Sequence, residues 1–327
     1  MKKTLSNNIT KFMQNLRKMK GREAPLLKES WVTYKRDLDS IINELKENQN
    51  IRVHDSETGG VLRGHSSSRK KNKELWDNQN KFVGLLCRVE NLNGEVGYSR
   101  ALFNQKNMAI EDKKSGNIQR MNLLAYEAPL LRKQSDGLNT DIDSKFAKCD
   151  LIGLYDNYLY AIEVKIKPEE YSTYLPHAMV ESFAYGYYLN KIIEEESIRL
   201  FNSEIRLCLK SFHPNSNILA QDSYQVKYIV AAPRGYFARY FYGKNKSQEW
   251  YRLRISEVKK IEKLLFNEGS SSPKFSGYLI MENSHNDVID KFNSKSKICL
   301  PNFNSPLSVA SLYPDFSTLK SGLAPHL

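Results

Sequence analysis

The chain has 327 residues, of which 40% are hydrophobic, and this is enough for one large domain or two smaller ones with a proper core. Its four cysteines are widely spaced, which argues against a zinc site and a disulfide framework and favours a reducing cytoplasm. The formal net charge of +12, together with the lack of a long apolar run or a secretory signal, favours a cytoplasmic protein with a polyanionic partner over a membrane protein.

The first 72 residues are predicted to form a basic helical extension. Apolar residues recur at intervals of three and four from Glu29 to Glu47, as in an amphipathic helix. Residues 1–28 are rich in lysine and arginine and are interpreted as a solvated tail, with an arm that orders on DNA as the alternative. Glycine and serine clusters between Ile51 and Lys73 indicate a flexible loop.

The core is predicted to begin with a helix over Lys73–Leu92, followed by a loop over Gly94–Asn117 that contains a short helix. The next segment, Met121–Leu131, is predicted to be a strand and contains a single ionised group, Glu127. A lone carboxylate in an apolar strand is costly unless it is solvated, paired or bound to a metal. Glu127 is therefore a candidate site residue, and the alternative is an exposed residue at the sheet edge.

A β-hairpin is the most informative element of the sequence. Two segments rich in aliphatic and aromatic residues, Leu151–Tyr155 and Tyr158–Ile166, are separated only by Asp156 and Asn157. This pair tolerates the left-handed backbone of a two-residue turn. The sequence therefore predicts two antiparallel strands in a fixed register.

The predicted turn brings two acids and an amine together. Its register places Asp150 directly opposite Glu163, with Cβ atoms roughly 4.5 to 5.5 Å apart, and the period of two puts Lys165 on the same face as Glu163. Two carboxylates this close repel each other unless a cation neutralises them, and Mg²⁺ prefers oxygen ligands. The lysine can position a metal-activated water for attack on phosphorus. The alternative is a surface hairpin whose acids pair with Lys165 and Lys148.

A helix and a strand are predicted after the hairpin. Pro176 suits the first turn of a helix that continues to about Glu195. Glu181 and Tyr185 are four residues apart and are therefore neighbours on this helix. Glu181 either lines the site or is an ordinary residue at the helix border. The apolar run Val226–Ala232 indicates a strand buried on both faces.

The segment that follows this strand mixes arginines with aromatic residues. Arg234 and Arg239 can pair with phosphates while the neighbouring rings stack on bases. The alternative is that the rings cover the core. A basic amphipathic helix is predicted over Trp250–Phe266, and the rest of the chain is predicted to be an irregular tail with a short strand near Tyr278–Met281.

The acid on one strand and the Glu-x-Lys sequence on the next, here Asp150, Glu163 and Lys165, resemble the signature of the PD-(D/E)XK, or restriction-endonuclease-like, nuclease superfamily. The resemblance covers roughly Trp76–Pro233. It implies an α/β fold with an αβββαβ core, in which a mixed central sheet is flanked by helices. It also implies Mg²⁺-dependent hydrolysis of phosphodiester bonds, with the Val164 carbonyl as a third metal ligand.

Two positions depart from the superfamily pattern. Cys149 stands where the signature has a proline, although that position is variable in the group. Glu181 and Tyr185 are similar to the Gln-x-x-x-Tyr motif of the RecB-type branch, with glutamate in place of glutamine. Glu127 and Glu181 are expected to be auxiliary catalytic residues, and Tyr185 is expected to contact nucleic acid.

Three segments are predicted: a basic helical extension over residues 1–72, a nuclease core over residues 73–245, and a basic helix with a C-terminal extension over residues 246–327. We expect a Mg²⁺-dependent deoxyribonuclease that accepts Mn²⁺ as a substitute, of the restriction or defence endonuclease type. DNA is the expected partner, and double-strand cleavage would favour a homodimer. The alternatives are a nucleic-acid-binding protein that keeps this fold without cutting, and a basic scaffold for protein partners.

Overall fold

The computed structural model describes residues 95–105, 107–130, 148–167, 174–194, 224–243, 247–266, 273–282 and 309–323, with single positions between 202 and 209. The helices in these ranges are α1 (Glu95–Asn104), α2 (Leu175–Glu194), α3 (Arg234–Tyr242), α4 (Gln248–Phe266) and α5 (Phe316–Leu323). The strands are β1 (Asn107–Asp112), β2 (Ile118–Pro129), β3 (Lys148–Tyr155), β4 (Tyr158–Val164), β5 (Gln225–Pro233), β6 (Lys274–Met281) and β7 (Val309–Tyr313). The predictions for residues 1–72 and for a helix over Lys73–Leu92 lie outside the described residues.

The seven strands form one closed barrel in which spatial order follows chain order. Strands β1 to β4 form an antiparallel meander. Strands β4, β5 and β6 run parallel to one another, whereas β6 and β7 are antiparallel. The barrel closes where β7 pairs in parallel with β1, from Ala109 opposite Val309 to Asp112 opposite Leu312.

The expected α/β fold, an αβββαβ core whose mixed central sheet is flanked by helices, is wrong, because the sheet closes on itself. The two strands that close it lie in segments predicted to be irregular. Strand β1 ends in Glu111 and Asp112, which are poor strand formers, and β7 has only five residues. Their pairing is nevertheless favourable, since it satisfies the backbone groups that two free sheet edges would expose.

The hairpin that carries the candidate acids has the predicted register. Tyr155 pairs with Tyr158 at the turn, and Leu151 pairs with Ile162 farther along. Asp156 has a φ of +52°, the left-handed conformation that the two-residue turn requires. The strand predicted to reach Ile166 ends at Val164. Local turn chemistry therefore fixes which face Asp150 and Glu163 share.

Helices pack against the strands of this sheet and hold the site elements together. Helix α2 packs on β4 and β5, where the Phe183 ring meets the Tyr228 ring edge-on at 5.6 Å between centroids. Helix α1 packs on β2 and β3, and α4 packs on both α2 and α3. None of the helices in the described part of the chain is long and apolar enough to cross a membrane.

The aromatic residues between Arg234 and Arg239, and just beyond, cover the core. They lie on helix α3, where Tyr236, Phe237 and Tyr240 are all buried. The Tyr240 ring contacts the Tyr174 ring at 5.7 Å between centroids. Because these rings are packed inside the protein, they are not placed to stack on bases.

Gly277 in β6 lies in close contact with β7, so a substitution there tests this part of the barrel. Its φ is +106°, and a Cβ at this position would overlap the carbonyl oxygen of Tyr313 in β7. We expect Gly277→Ala to destabilise the protein by about 2 to 4 kcal/mol, because it combines backbone strain with a clash against rigid backbone. Thermal or urea unfolding measures the change.

Gly235→Ala is the matched control for this prediction. Gly235 lies on the exposed side of helix α3, where a Cβ would meet no atom within 4 Å. This change is expected to stabilise the protein by about 0.5 to 1 kcal/mol, since alanine is the better helix former. Equal stabilities for the two variants would argue against the β6–β7 contact that closes the sheet.

Candidate active site

Three carboxylates converge on the amine of Lys165. Its Nζ lies 2.5 Å from Glu163 Oε1, 3.2 Å from Glu181 Oε2 and 3.4 Å from Glu95 Oε2. The Lys165 side chain is 6% exposed and the Glu163 side chain is 3% exposed. The surface-hairpin interpretation therefore fails for this pair, and the cluster is an internal site.

The members of this cluster come from three parts of the fold: the end of β4, helix α2 and helix α1. Glu163 is near the end of β4, and Lys165 follows that strand, where its backbone N–H donates to the Ala231 carbonyl of β5 at 2.9 Å. Glu181 projects from α2, and Glu95 is the first residue of α1. The site thus exists only when the hairpin and both helices are packed together.

Asp150 is held at the edge of the same cluster by the backbone of the partner strand. The Val164 N–H donates to Asp150 Oδ2 at 2.8 Å. This hydrogen bond crosses the hairpin and fixes the carboxylate beside Glu163, as the register requires. Asp150 is therefore close enough to Glu163 for its charge to act on that residue.

Burial makes these acids hold protons more tightly than free carboxyls do. Burial raises the pKa of Asp150 from 3.8 to about 7, although the charge of Lys165 opposes the change. Burial and the charge of Asp150 raise the pKa of Glu163 well above its usual range. Burial also raises the pKa of Glu95. Without a cation the cluster therefore retains protons at a pH where exposed carboxyls are ionised.

Unlike Asp150 and Glu163, Lys165 and Glu181 are held in their charged forms. Burial would lower the pKa of Lys165, but the charges of Glu163, Glu181 and Glu95 hold it well above its usual range. Burial would raise the pKa of Glu181, but His177 and Lys165 hold it well below its usual range. The cluster therefore contains a firmly charged ammonium paired with a firmly charged carboxylate.

The donor atoms fit a hard divalent cation. Asp150, Glu163, Glu181 and Glu95 outnumber the nearby basic groups, Lys165 and His177, so the group carries excess negative charge at high pH. The Glu163 Oε2 atom is buried and makes no hydrogen bond. Such an atom is costly unless it meets a partner, and an all-oxygen set suits Mg²⁺. No group of three or more His, Cys, Asp and Glu residues in the described ranges forms a ready-made metal site; the Lys165 ammonium lies among the carboxylates instead.

Glu127 lies beside the cluster but is not among its main charges. It stands opposite Asp150 in the β2–β3 pairing, between the Tyr126–Leu151 and Ala128–Cys149 pairs. Its φ of +43° is left-handed, which interrupts the alternation of the strand. The charges that act most strongly on Asp150 come from Lys165, Glu95 and Glu181 rather than from Glu127.

The three residues predicted to contact nucleic acid lie in different environments. Tyr185 is 5% exposed, and burial together with the charges of Glu163 and Glu181 raises the pKa of its hydroxyl well above the usual range. Arg234 is bound to Glu282 at 3.0 and 3.1 Å and to the Gly322 carbonyl at 2.8 Å. Arg239 is exposed on helix α3.

These positions determine which of the three residues is accessible to a nucleic acid. Tyr185 adjoins the acids from inside the protein, so it belongs to the wall of the site. Arg234 joins α3 to the residues after β6 and to α5, and its guanidinium already has a bidentate partner. Arg239 is on the surface, where it is accessible to solvent.

Sequence reasoning missed two members of the cluster. Glu95 was expected in a loop, and no local pattern links it to a lysine 70 positions away. His177 is 2% exposed, and its Nε2 lies 3.2 Å from Glu181 Oε1, while its Nδ1 is buried without a hydrogen-bond partner. The spacing of four between His177 and Glu181 on one helix was the available signal.

The pKa of Asp150 predicts how the stability of the metal-free protein depends on pH. A carboxyl whose pKa is higher in the folded state stabilises that state fully at low pH, and this contribution is lost as pH rises from about 4 through 7. We therefore expect Asp150→Asn to gain stability relative to the wild type between pH 5 and 8, by on the order of 2 kcal/mol. Urea unfolding in EDTA at several pH values measures the difference.

Asp156→Asn is the control for this experiment. It makes the same chemical change at an exposed turn position, and asparagine also tolerates the left-handed backbone there. Its difference from the wild type should stay constant over the same pH range. A constant difference for Asp150→Asn as well would contradict the raised pKa.

No family model, curated protein or solved structure matches this chain. Its function must therefore be inferred from the chemistry of the residues themselves.

Proposed function

We propose that the protein is a Mg²⁺-dependent deoxyribonuclease that hydrolyses phosphodiester bonds, of the restriction or defence endonuclease type. One observation carries the proposal: the hairpin acids Asp150 and Glu163 adjoin a buried ammonium, Lys165, which is itself held by Glu181. Excess carboxylates beside a fixed lysine are a costly arrangement for stability alone. They suit a site that must collect a cation and a phosphate.

The ion would be held by Asp150, Glu163 and the Val164 carbonyl. These donors are all oxygen atoms, as Mg²⁺ prefers, and Mn²⁺ is expected to substitute. The buried Glu163 Oε2 without a hydrogen bond supports this assignment. When bound, the ion would neutralise charge on the phosphate and make a bound water more acidic.

Lys165 would position the attacking water and stabilise negative charge as it develops. The carboxylates hold its pKa well above the usual range, so the amine keeps its proton near neutral pH. A group that remains protonated is a poor general base. This favours electrostatic stabilisation by a fixed ammonium over proton abstraction by a free amine.

Glu181 and His177 would keep that ammonium in place. One oxygen of Glu181 lies 3.2 Å from Lys165 Nζ, and its other oxygen lies 3.2 Å from His177 Nε2. Both residues belong to helix α2, which packs on β4 and β5. The helix thus fixes the orientation of a lysine that follows the adjacent strand.

Charge supports DNA as the substrate. The chain has a formal net charge of +12, although residues 121–222, which contain most of the acid cluster, are net acidic. Basic regions attract the phosphate backbone, while a local acidic pocket collects the cation. Along the chain, basic segments precede and follow the acidic core, and such segments would help an endonuclease to hold a duplex.

Incubation of supercoiled plasmid, single-stranded DNA and RNA with the purified protein tests the proposal. We expect cleavage of DNA that requires Mg²⁺ or Mn²⁺ and stops in EDTA. Nicked or linear plasmid would support an internal cut. Binding of DNA without cleavage under all ionic conditions would instead indicate a non-catalytic nucleic-acid-binding protein and contradict the proposal.

A further inference from the structure

Helix α4 carries two of its three acids on its buried side. Its buried side carries Arg254 and Glu257, whose side chains are paired at 3.0 Å. Glu262 also points inward, where it accepts from the Phe316 N–H at 2.7 Å and from the Tyr278 hydroxyl at 3.2 Å. Two of the three acids of this helix are therefore used inside the protein, and the third, Glu249, lies in the first turn.

The outward side of the same helix is basic over three turns. It forms a shallow open groove lined by Arg252, Ile255, Ser256, Lys259, Lys260 and Lys263. All four cationic residues of this groove are exposed. None of these six lining residues is acidic, whereas solvated helix faces commonly mix both signs to form pairs at spacings of three and four.

The basic groove begins close to the helix that carries part of the candidate active site. The Trp250 ring in the first turn of α4 contacts the Tyr174 ring at 6.3 Å between centroids, immediately before helix α2 begins. The Arg254 guanidinium stacks on Trp250 at 3.9 Å and thereby fixes this contact. Helix α2 then continues to His177 and Glu181, so α4 is anchored at the same end of α2 as the acid cluster.

We propose that the exposed face of α4 formed by Arg252, Lys259, Lys260 and Lys263 binds the phosphate backbone of duplex DNA. The inference rests on the proposed nuclease function and specifies where its substrate is held. Arg252, Lys259 and Lys263 lie on one side of the helix at intervals of seven and four residues, roughly 10 and 6 Å along the axis, so together they can reach several phosphates of one duplex. Because four of the six lining residues are cations and none is acidic, we expect the phosphate backbone to supply most of the binding energy.

A charge-neutralised variant tests this surface. Arg252→Gln, Lys259→Gln and Lys263→Gln are combined in the full-length chain, and Lys260 is kept because its charge also acts on Glu257. Binding of a fluorescent DNA duplex is measured by anisotropy in EDTA, where no cleavage occurs. We expect affinity to fall about 10- to 100-fold near 0.1 M salt, and the slope of log K against log salt to become shallower by about 2 to 3.

A matched variant controls for net charge alone. Arg120→Gln, Lys113→Gln and Lys114→Gln remove the same three charges from exposed positions in and beside the β1–β2 turn, which is at the opposite end of β2 from the acid cluster. This variant should bind within about threefold of the wild type. Thermal unfolding of both variants confirms that each is folded.

The outcomes separate this inference from the proposed function. Equal loss of affinity in both variants, no loss in the α4 variant, or binding of anionic vesicles without binding of DNA would overturn the proposal for α4. Selective loss in the α4 variant supports it. If the wild type binds DNA through α4 but does not cut it with Mg²⁺, the nuclease function fails while the binding surface stands.

Discussion

Lys165→Met is expected to reduce Mg²⁺-dependent DNA cleavage by about 100- to 1,000-fold. The ammonium is the fixed positive charge nearest to Glu163, and removing one preorganised donor from an active site commonly has an effect of this size. Stability should fall as well, by about 3 to 5 kcal/mol, because Glu181, which is held in its charged form, loses a buried cationic partner. Cleavage rates and urea unfolding measure the two effects.

Two further variants make this result interpretable. Lys165→Arg keeps the positive charge, so it should retain more stability than Lys165→Met while still cutting poorly, since a planar guanidinium does not reproduce a compact amine. Lys113→Met removes an exposed lysine paired with Glu111 and should leave cleavage and stability nearly unchanged. Full cleavage by Lys165→Arg and Lys165→Met would exclude a catalytic role for this residue.

Glu163→Gln is expected to separate activity from stability. In the metal-free protein, burial and the charge of Asp150 raise the pKa of Glu163 well above its usual range, so the residue holds a proton readily. Glutamine has the shape of the neutral acid and keeps an oxygen that can accept from Lys165. Stability in EDTA should therefore change by less than about 1 kcal/mol, whereas cleavage should fall about 100-fold or more because an anionic metal ligand is lost.

The matched control is Glu111→Gln, an acid of β1 paired with the exposed Lys113. It makes the same substitution outside the cluster, and cleavage should persist at the wild-type rate. If Glu163→Gln still cleaves DNA, Glu163 is not a metal ligand. If it is instead strongly destabilised in EDTA, the residue is ionised in the metal-free protein and its contact with Lys165 is a structural ion pair.

The hairpin could be predicted because its information is local. Asp156 and Asn157 fix a two-residue turn, and the turn fixes the register from Tyr155 and Tyr158 back to Asp150. The helix with Glu181 could be predicted in the same way, from a proline in its first turn and a regular apolar pattern. These elements contain three of the four acids in the cluster.

Closure of the sheet could not be predicted, because it depends on pairing between distant segments. Strand β1 is short and ends in two acids, and its partner β7 lies about 200 residues later in the chain. Neither segment has a sequence pattern that identifies the other as its pairing partner. Glu95 was missed for the same reason, since its contact with Lys165 arises only when α1 packs on β2 and β3.

The cluster around Lys165 shows which features of a site a local sequence pattern predicts and which it does not. The turn residues predict that Asp150 lies beside Glu163. They do not predict that both carboxyls are buried, and burial is what raises the pKa of each. Burial comes from α1 and α2, which cover the end of the hairpin. The chemistry of the site therefore depends on packing that the hairpin sequence does not contain.

Isothermal titration of Mg²⁺ into the metal-free protein at about pH 8 measures whether the acids around Lys165 hold a cation. We expect saturable binding at one site per chain in the wild type, and loss of this binding in Glu163→Gln, whose stability in EDTA should change little. Absence of binding in the wild type, or equal binding by the wild type and Glu163→Gln, would show that the acids around Lys165 do not form a metal site.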